Sequence, residues 1–133
     1  MKILFADSFF YFAFLNSDDV AHEQAEAFFE EFDGKMVTTA WVLTEVADGM
    51  ADPLDRLTFI RFHQVLSHDP DVTIVPPDPA IFAAGLALYA DRPDKEWSLT
   101  DCISFIVMQR HALTEALTGD RHFEQAGFKA MLK

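Results

Sequence analysis

The sequence lacks several features that define whole classes of protein. Cysteine occurs once, at Cys102, which excludes an intrachain disulfide and a cysteine zinc cluster. The five glycines are scattered and form no Gly-rich phosphate-binding motif. No hydrophobic run approaches the roughly 18 residues that span a membrane, and no cleavage pattern follows the apolar stretch 9–15. We therefore predict a cytoplasmic protein with no membrane partner.

Positive charge is also scarce. Lysine and arginine total 10 against 22 aspartates and glutamates, which gives a formal net charge of −12. Such a chain cannot offer nucleic acid a broad basic surface, and anionic membranes are disfavoured for the same reason. The segment 18–33 holds acidic residues without any lysine or arginine, and this pattern is typical of a solvated face.

Hydrophobic residues make up 50% of the chain, which is enough for a folded core. At 133 residues we predict a single domain, 1–133. Short apolar runs bounded by turn residues predict buried parallel strands. These predicted strands are 3–6, 36–39, 72–75 and 115–118, with a fifth at 128–132.

Helical patterns fill the segments between the predicted strands. The apolar residues of 20–32 follow a helical period, and Asp52 with Pro53 predicts the start of a helix that ends near residue 66. Further helices are predicted at 79–90, 101–112 and 121–126, and the helix 101–112 is apolar enough to be buried. Alternating strands and helices indicate an α/β fold with a mainly parallel sheet of four or five strands.

Four carboxylates fall where this topology places a binding site, beyond the carboxyl ends of the strands. Asp7 directly follows the first predicted strand, and Asp120 lies just past the fourth. Glu45 lies in the helix that begins after the second strand, and Asp101 begins the buried helix. Converging carboxylates repel one another unless a cation neutralises them, and hard oxygen ligands suit Mg²⁺ or Mn²⁺. The pattern favours a metal site.

Each of these acids also has a purely structural explanation. Asp7 and Asp120 are suitable N-caps for the helices that follow them, and Asp101 with Ser98 matches a capping box. Glu45 fits a solvated helix face. The residues alone leave both explanations open.

Four segments carry a resemblance to a known family, and in chain order they are FADSFF, TTAWVLTEV, SLTDCISF and LTGDRHFEQAGF. Together they resemble a PIN domain, and the chain is most similar to the small single-domain prokaryotic members that include VapC-type toxins. The resemblance covers essentially the whole chain. It implies a three-layer α/β/α sandwich and a metal-dependent ribonuclease, the toxin of a toxin–antitoxin pair.

The resemblance also assigns residues. The acidic quartet of the family matches Asp7, Glu45, Asp101 and Asp120, which implies that these side chains are catalytic and hold one or two Mg²⁺ or Mn²⁺ ions. In this assignment the three aspartates hold the principal metal, and Glu45 orients the attacking water or holds a second ion. Hydroxyl positions beside the quartet match Ser8 and Thr118, and Asn16 matches an asparagine that closes the first helix.

The acidic surface departs from many members of this family, so RNA needs a local positive path. Candidate residues for this path are Arg92, Lys95, Arg110 and Arg121, together with His122 as a phosphate contact. Of these, Arg121 is adjacent to Asp120, and we assign it with Ser8 and Thr118 to substrate binding.

Two kinds of protein partner are expected besides RNA. The resemblance implies an antitoxin, and a homodimer is common among such proteins. The aromatic cluster 9–12 exceeds what one helix buries on one side, which predicts an exposed apolar remainder at an interface. The alternative function is a PIN-like scaffold that binds a protein partner and cleaves nothing.

Overall fold

The computed structural model describes residues 2–133, which contain a five-stranded sheet of order β3-β2-β1-β4-β5. Every neighbouring pair of strands is parallel, which confirms the predicted α/β class. The strands are β1 (Lys2–Ala6), β2 (Gly34–Thr39), β3 (Val72–Val75), β4 (Glu115–Leu117) and β5 (Lys129–Ala130).

The last strand is shorter than the predicted segment 128–132, because only Lys129 and Ala130 form strand ladder pairs with β4. The chain still follows β4 after that point. The N–H group of Met131 donates to the carbonyl of Ala116 at 2.9 Å, and that of Leu132 donates to the carbonyl of Thr118 at 3.0 Å.

Helices cover both faces of the sheet. Successive side chains of a strand point to opposite faces, and Leu4, Phe5 and Ala6 of β1 are all fully buried. The described residues form seven helices, namely α1 (Ser8–Leu15), α2 (His22–Glu31), α3 (Ala40–Gly49), α4 (Pro53–His68), α5 (Pro79–Asp91), α6 (Leu99–Arg110) and α7 (Arg121–Gln125).

The helix boundaries follow the caps that the sequence predicts. Asp52 caps α4 with Pro53 at its first position, and Asn16 is the C-cap of α1. The buried helix starts at Leu99, two residues before the predicted start, because Ser98 is the N-cap and Asp101 the third helical residue of a complete capping box. Its Cys102 is fully buried.

The strand order reverses direction beside β1, and this positions the site. From β1 the chain adds β2 and then β3 on one side, and it then crosses to β4 on the other side of β1. A crevice forms at such a switch point beyond the carboxyl ends of the strands. The segments that follow β1 and β4 therefore begin side by side.

The aromatic cluster 9–12 differs from the prediction. Phe10 and Tyr11 are buried, while Phe9 and Phe12 are half-buried and pack against the core. The expected exposed remainder is therefore wrong for this helix, because neighbouring elements cover it on more than one side. Most of the large exposed apolar side chains lie instead on two other helices, α4 with Leu54, Leu57, Ile60 and Val65, and α5 with Phe82, Leu86 and Tyr89.

No helix among residues 2–133 combines the length and the hydrophobicity needed to cross a membrane.

Candidate metal-binding active site

All four sequence-predicted acids line one open cleft of about 340 Å³. Asp7 follows β1 directly, and Asp120 follows β4 after a short turn. Glu45 lies in the middle of α3, and Asp101 lies in the first turn of α6. The structure thus brings together four carboxylates that are far apart in the chain.

Backbone caps fix three of these carboxylates. Asp7 is the N-cap of α1, and Asp120 is the N-cap of α7, where it accepts from the N–H group of His122 at 2.9 Å. Asp101 accepts from the N–H group of Ser98 at 3.1 Å in the capping box. The structural explanations for the three aspartates are therefore confirmed.

Glu45 does not match its structural explanation. It is half-buried, and its Oε1 atom accepts a hydrogen bond from the hydroxyl of Ser8. The structural explanation that Glu45 lies on a solvated helix face is therefore wrong. The contact joins α3 to the first residue of α1 and turns the Glu45 carboxylate toward the other acids.

Thr118 joins two of the aspartates. Its Oγ1 hydroxyl donates to Oδ2 of Asp7 at 3.0 Å and accepts from the N–H group of Asp120 at 3.0 Å. Both hydroxyls that were assigned to substrate binding, those of Ser8 and Thr118, thus contact acids of the cleft.

Each carboxylate uses one oxygen for these contacts. The engaged atoms are Oδ2 of Asp7, Oε1 of Glu45, Oδ2 of Asp101 and Oδ1 of Asp120. Within the described part of the chain, no group completes a hydrogen bond of good geometry with the second oxygen of any of the four. Four oriented carboxylates therefore retain one oxygen each for a ligand.

The cleft concentrates negative charge in a buried place. Asp7 is only 3% exposed, and burial raises its pKa to about 7, with the charges of Asp101 and Glu45 adding to the effect. Burial also raises the pKa of Asp101, while hydrogen bonds from His122 and Ser98 oppose that rise. A cation bound here would relieve both the repulsion and the cost of burial.

Two further residues line the cleft. The Nδ1 atom of His122 lies 3.0 Å from Oδ2 of Asp101 and 3.5 Å from Oδ1 of Asp120. The sequence predicts His122 as a phosphate contact. It carries no spacing signal for the contact with Asp101, which is 21 residues away. Glu96 was missed entirely, because it lies in a loop without a motif.

Two of the four residues predicted to form the positive path, Arg92 and Arg121, form ion pairs with acidic residues. Arg92 makes a two-pronged ion pair with Asp94 and lies 5.2 Å from the ring centre of Trp97. Arg121 lies 3.6 Å from Glu96 in an exposed pair, and such pairs are weak enough to open for a phosphate. Lys95 is half-buried, and Arg110 is exposed at the end of α6. Of these four residues, Arg121 is the one that pairs with a residue lining the cleft.

Comparisons with known proteins agree with this architecture. The family model described as PIN domain matches residues 4–129. No curated protein sequence matches the chain. Among solved structures, VapC20 of Mycobacterium tuberculosis, a toxin that cleaves the sarcin-ricin loop, is similar with a TM-score of 0.86 and 21% identity over 96% of both chains.

Two other solved structures share the fold. FitAcB from Neisseria gonorrhoeae has a TM-score of 0.66 and 22% identity, over 97% of this chain and 96% of its own. FitAB bound to an IR36 DNA fragment has a TM-score of 0.67 and 18% identity, over 98% of this chain and 94% of its own. Together with VapC20, these structures confirm the α/β/α sandwich.

Proposed function

The chain belongs to the PIN domain family, and from this premise we propose that it is a ribonuclease that hydrolyses RNA phosphodiester bonds with Mg²⁺ or Mn²⁺. The observation that carries the proposal is the set of four carboxylates in one cleft, each held through one oxygen and free at the other. A structural role in capping accounts for the first oxygen. It does not account for the second.

The donor set fits a hard divalent cation. Mg²⁺ and Mn²⁺ prefer carboxylate oxygens, and the second oxygens of Asp7, Asp101 and Asp120 would hold the principal ion. Glu45 would hold a second ion or orient water. When bound, such ions neutralise charge on the phosphodiester and lower the pKa of bound water.

The remaining steps belong to side chains of this chain. Ser8 fixes the carboxylate of Glu45, so that its second oxygen can accept a proton from the attacking water. Thr118 holds Asp7 and the turn before Asp120 in register. Arg121, at the rim, supplies a guanidinium for a non-bridging phosphate oxygen once its exposed pair with Glu96 opens.

We further propose that the protein is the toxin of a toxin–antitoxin pair in the cytoplasm. The similarity to the toxin VapC20 supports this proposal. A net charge of −12 would attract a basic antitoxin. The exposed apolar side chains of α5, which are Phe82, Leu86 and Tyr89, would suit a homodimer interface.

The decisive experiment pairs calorimetric titration of Mn²⁺ and Mg²⁺ with cleavage of a fluorescent RNA. We expect binding of at least one ion and cleavage that stops when a chelator removes it. Metal binding without cleavage of any RNA would favour the scaffold alternative. Cleavage that continues in the presence of a chelator would contradict the proposal.

The contact between Ser8 and Glu45 yields a separate prediction. Ser8→Ala removes the hydrogen bond that orients Glu45, and we expect kcat to fall about tenfold with KM unchanged, since a hydrogen bond to a charged group contributes about 1.5 kcal/mol. Steady-state cleavage kinetics would measure both constants. Ser67→Ala, in an exposed position of α4, is the matched control. A raised KM with unchanged kcat would instead show that Ser8 contacts substrate, as the sequence predicts.

A further inference from the structure

His122 is the only histidine that lines the acidic cleft among residues 2–133. Its Nδ1 atom lies 3.0 Å from Oδ2 of Asp101 and 3.5 Å from Oδ1 of Asp120. Atoms of these three side chains all lie within 4.8 Å of one another, a grouping that could hold a metal ion. The cleft thus offers one nitrogen donor beside its carboxylate oxygens.

The position of this nitrogen is fixed by the fold. The backbone N–H group of His122 donates to Asp120 at 2.9 Å, which ties the residue to the start of α7. Its side chain is only 19% exposed, so the imidazole is confined against the two aspartates. Nδ1 contacts the oxygens of Asp101 and Asp120 that serve the helix caps. The free oxygen of each carboxylate belongs to the same carboxyl group, so one ion could meet these free oxygens together with Nδ1.

We propose that His122 supplies a nitrogen ligand, through Nδ1, to the ion held by Asp101 and Asp120, and that the site therefore prefers Mn²⁺ to Mg²⁺. The inference rests on the proposed function, whose site it deepens. Mg²⁺ is bound almost entirely through oxygen, whereas an imidazole suits transition-metal ions. Replacing one oxygen ligand by nitrogen therefore shifts the selectivity of the site without changing its place in the fold.

The competing role for His122 is a hydrogen bond that only orients Asp101. His122→Asn separates the two roles, because the asparagine amide occupies the place of Nδ1. Its N–H group can still donate to Asp101, and its oxygen can still serve as a ligand for Mg²⁺. What the amide cannot supply is a nitrogen lone pair for the metal.

The experiment titrates Mn²⁺ and Mg²⁺ by calorimetry into the wild type, His122→Asn and His111→Asn. The variant His111→Asn is the matched control, because His111 is an exposed histidine at the end of α6. We expect the ratio of Mn²⁺ to Mg²⁺ affinity to fall about tenfold in His122→Asn, and to stay unchanged in His111→Asn. Electron spin-echo spectra of bound Mn²⁺ should show modulation from a directly bound histidine nitrogen in the wild type and lose it in His122→Asn.

The outcomes separate this inference from the function on which it rests. Mn²⁺ that binds without nitrogen modulation, and with the same selectivity in His122→Asn as in the wild type, would overturn the inference. Metal-dependent RNA cleavage would then still stand. If neither ion bound the wild type, the inference and the proposed function would both be wrong.

Discussion

Asp101→Asn is expected to lower kcat/KM for RNA cleavage about a thousandfold, or ~4 kcal/mol of transition-state stabilisation, because it removes a charged metal ligand. The variant should remain folded. The asparagine carbonyl can accept from the N–H group of Ser98 as the aspartate does, so the capping box at the start of α6 is preserved. Asp7→Asn is expected to lower cleavage by the same factor, because it also removes a charged metal ligand. This variant should remain folded too, since asparagine is an equally good N-cap.

Cleavage kinetics and thermal unfolding of each variant would measure the two properties separately. Asp48→Asn is the matched control, because it makes the same change of charge at an exposed position of α3, close to Glu45 in sequence and outside the cleft. Near wild-type cleavage is expected for this control. If Mg²⁺-dependent cleavage survived in both Asp7→Asn and Asp101→Asn, the assignment of the cleft would be wrong.

These substitutions test metal binding separately from folding, because one carboxylate can cap a helix and bind a metal ion at the same time. At the sequence level, a capping role for Asp101 or Asp120 argues against a role in catalysis. The structure removes the conflict, since the cap occupies one oxygen and leaves the other. A cap also holds the side chain in one rotamer, which lowers the entropy lost when a ligand binds. The capping interaction therefore preorganises the site.

Much of the fold follows from local patterns. The strand 72–75 is predicted with its observed bounds, because turn residues flank it. The helix α4 starts at Pro53 as predicted, because Asp52 caps it, and it ends at His68, two residues beyond the predicted end. The short strand β5 is less predictable. Its pairing with β4 covers only two residues, and that extent depends on how the chain end packs rather than on its apolar pattern.

The sequence predicts the position of a site residue only where that residue follows the end of a strand. The acids Asp7 and Asp120 follow their strands, and parallel topology alone brings such positions together. The hydrogen bonds that hold these side chains cannot be predicted from the sequence. Ser8 bonds Glu45 across 37 residues, and Thr118 bonds Asp7 across 111 residues. These pairs depend on strand order and helix packing, which no local spacing encodes.

Asp7→Asn should also change how the metal-free protein responds to pH. The pKa of Asp7 is raised to about 7, against an ordinary value of 3.8, chiefly by burial. Between these two values the unfolded chain has released a proton that the folded chain retains, so folding stability falls as pH rises. The loss is complete once pH passes the folded pKa, and it amounts to about 4 kcal/mol. We expect Asp7→Asn to match the wild type near pH 4 and to exceed its stability at pH 8.

Urea unfolding in a chelating buffer at both pH values would measure this difference. Asp48→Asn, again exposed, should keep the wild-type dependence on pH. Mn²⁺ added at pH 8 should then stabilise the wild type more than Asp7→Asn, because the ion binds the folded cleft and compensates the buried charge that the variant no longer carries. Equal pH dependence in the wild type and Asp7→Asn would show that the ionised Asp7 carboxylate is tolerated without a cation. The cleft would then not require a metal to stabilise its charge.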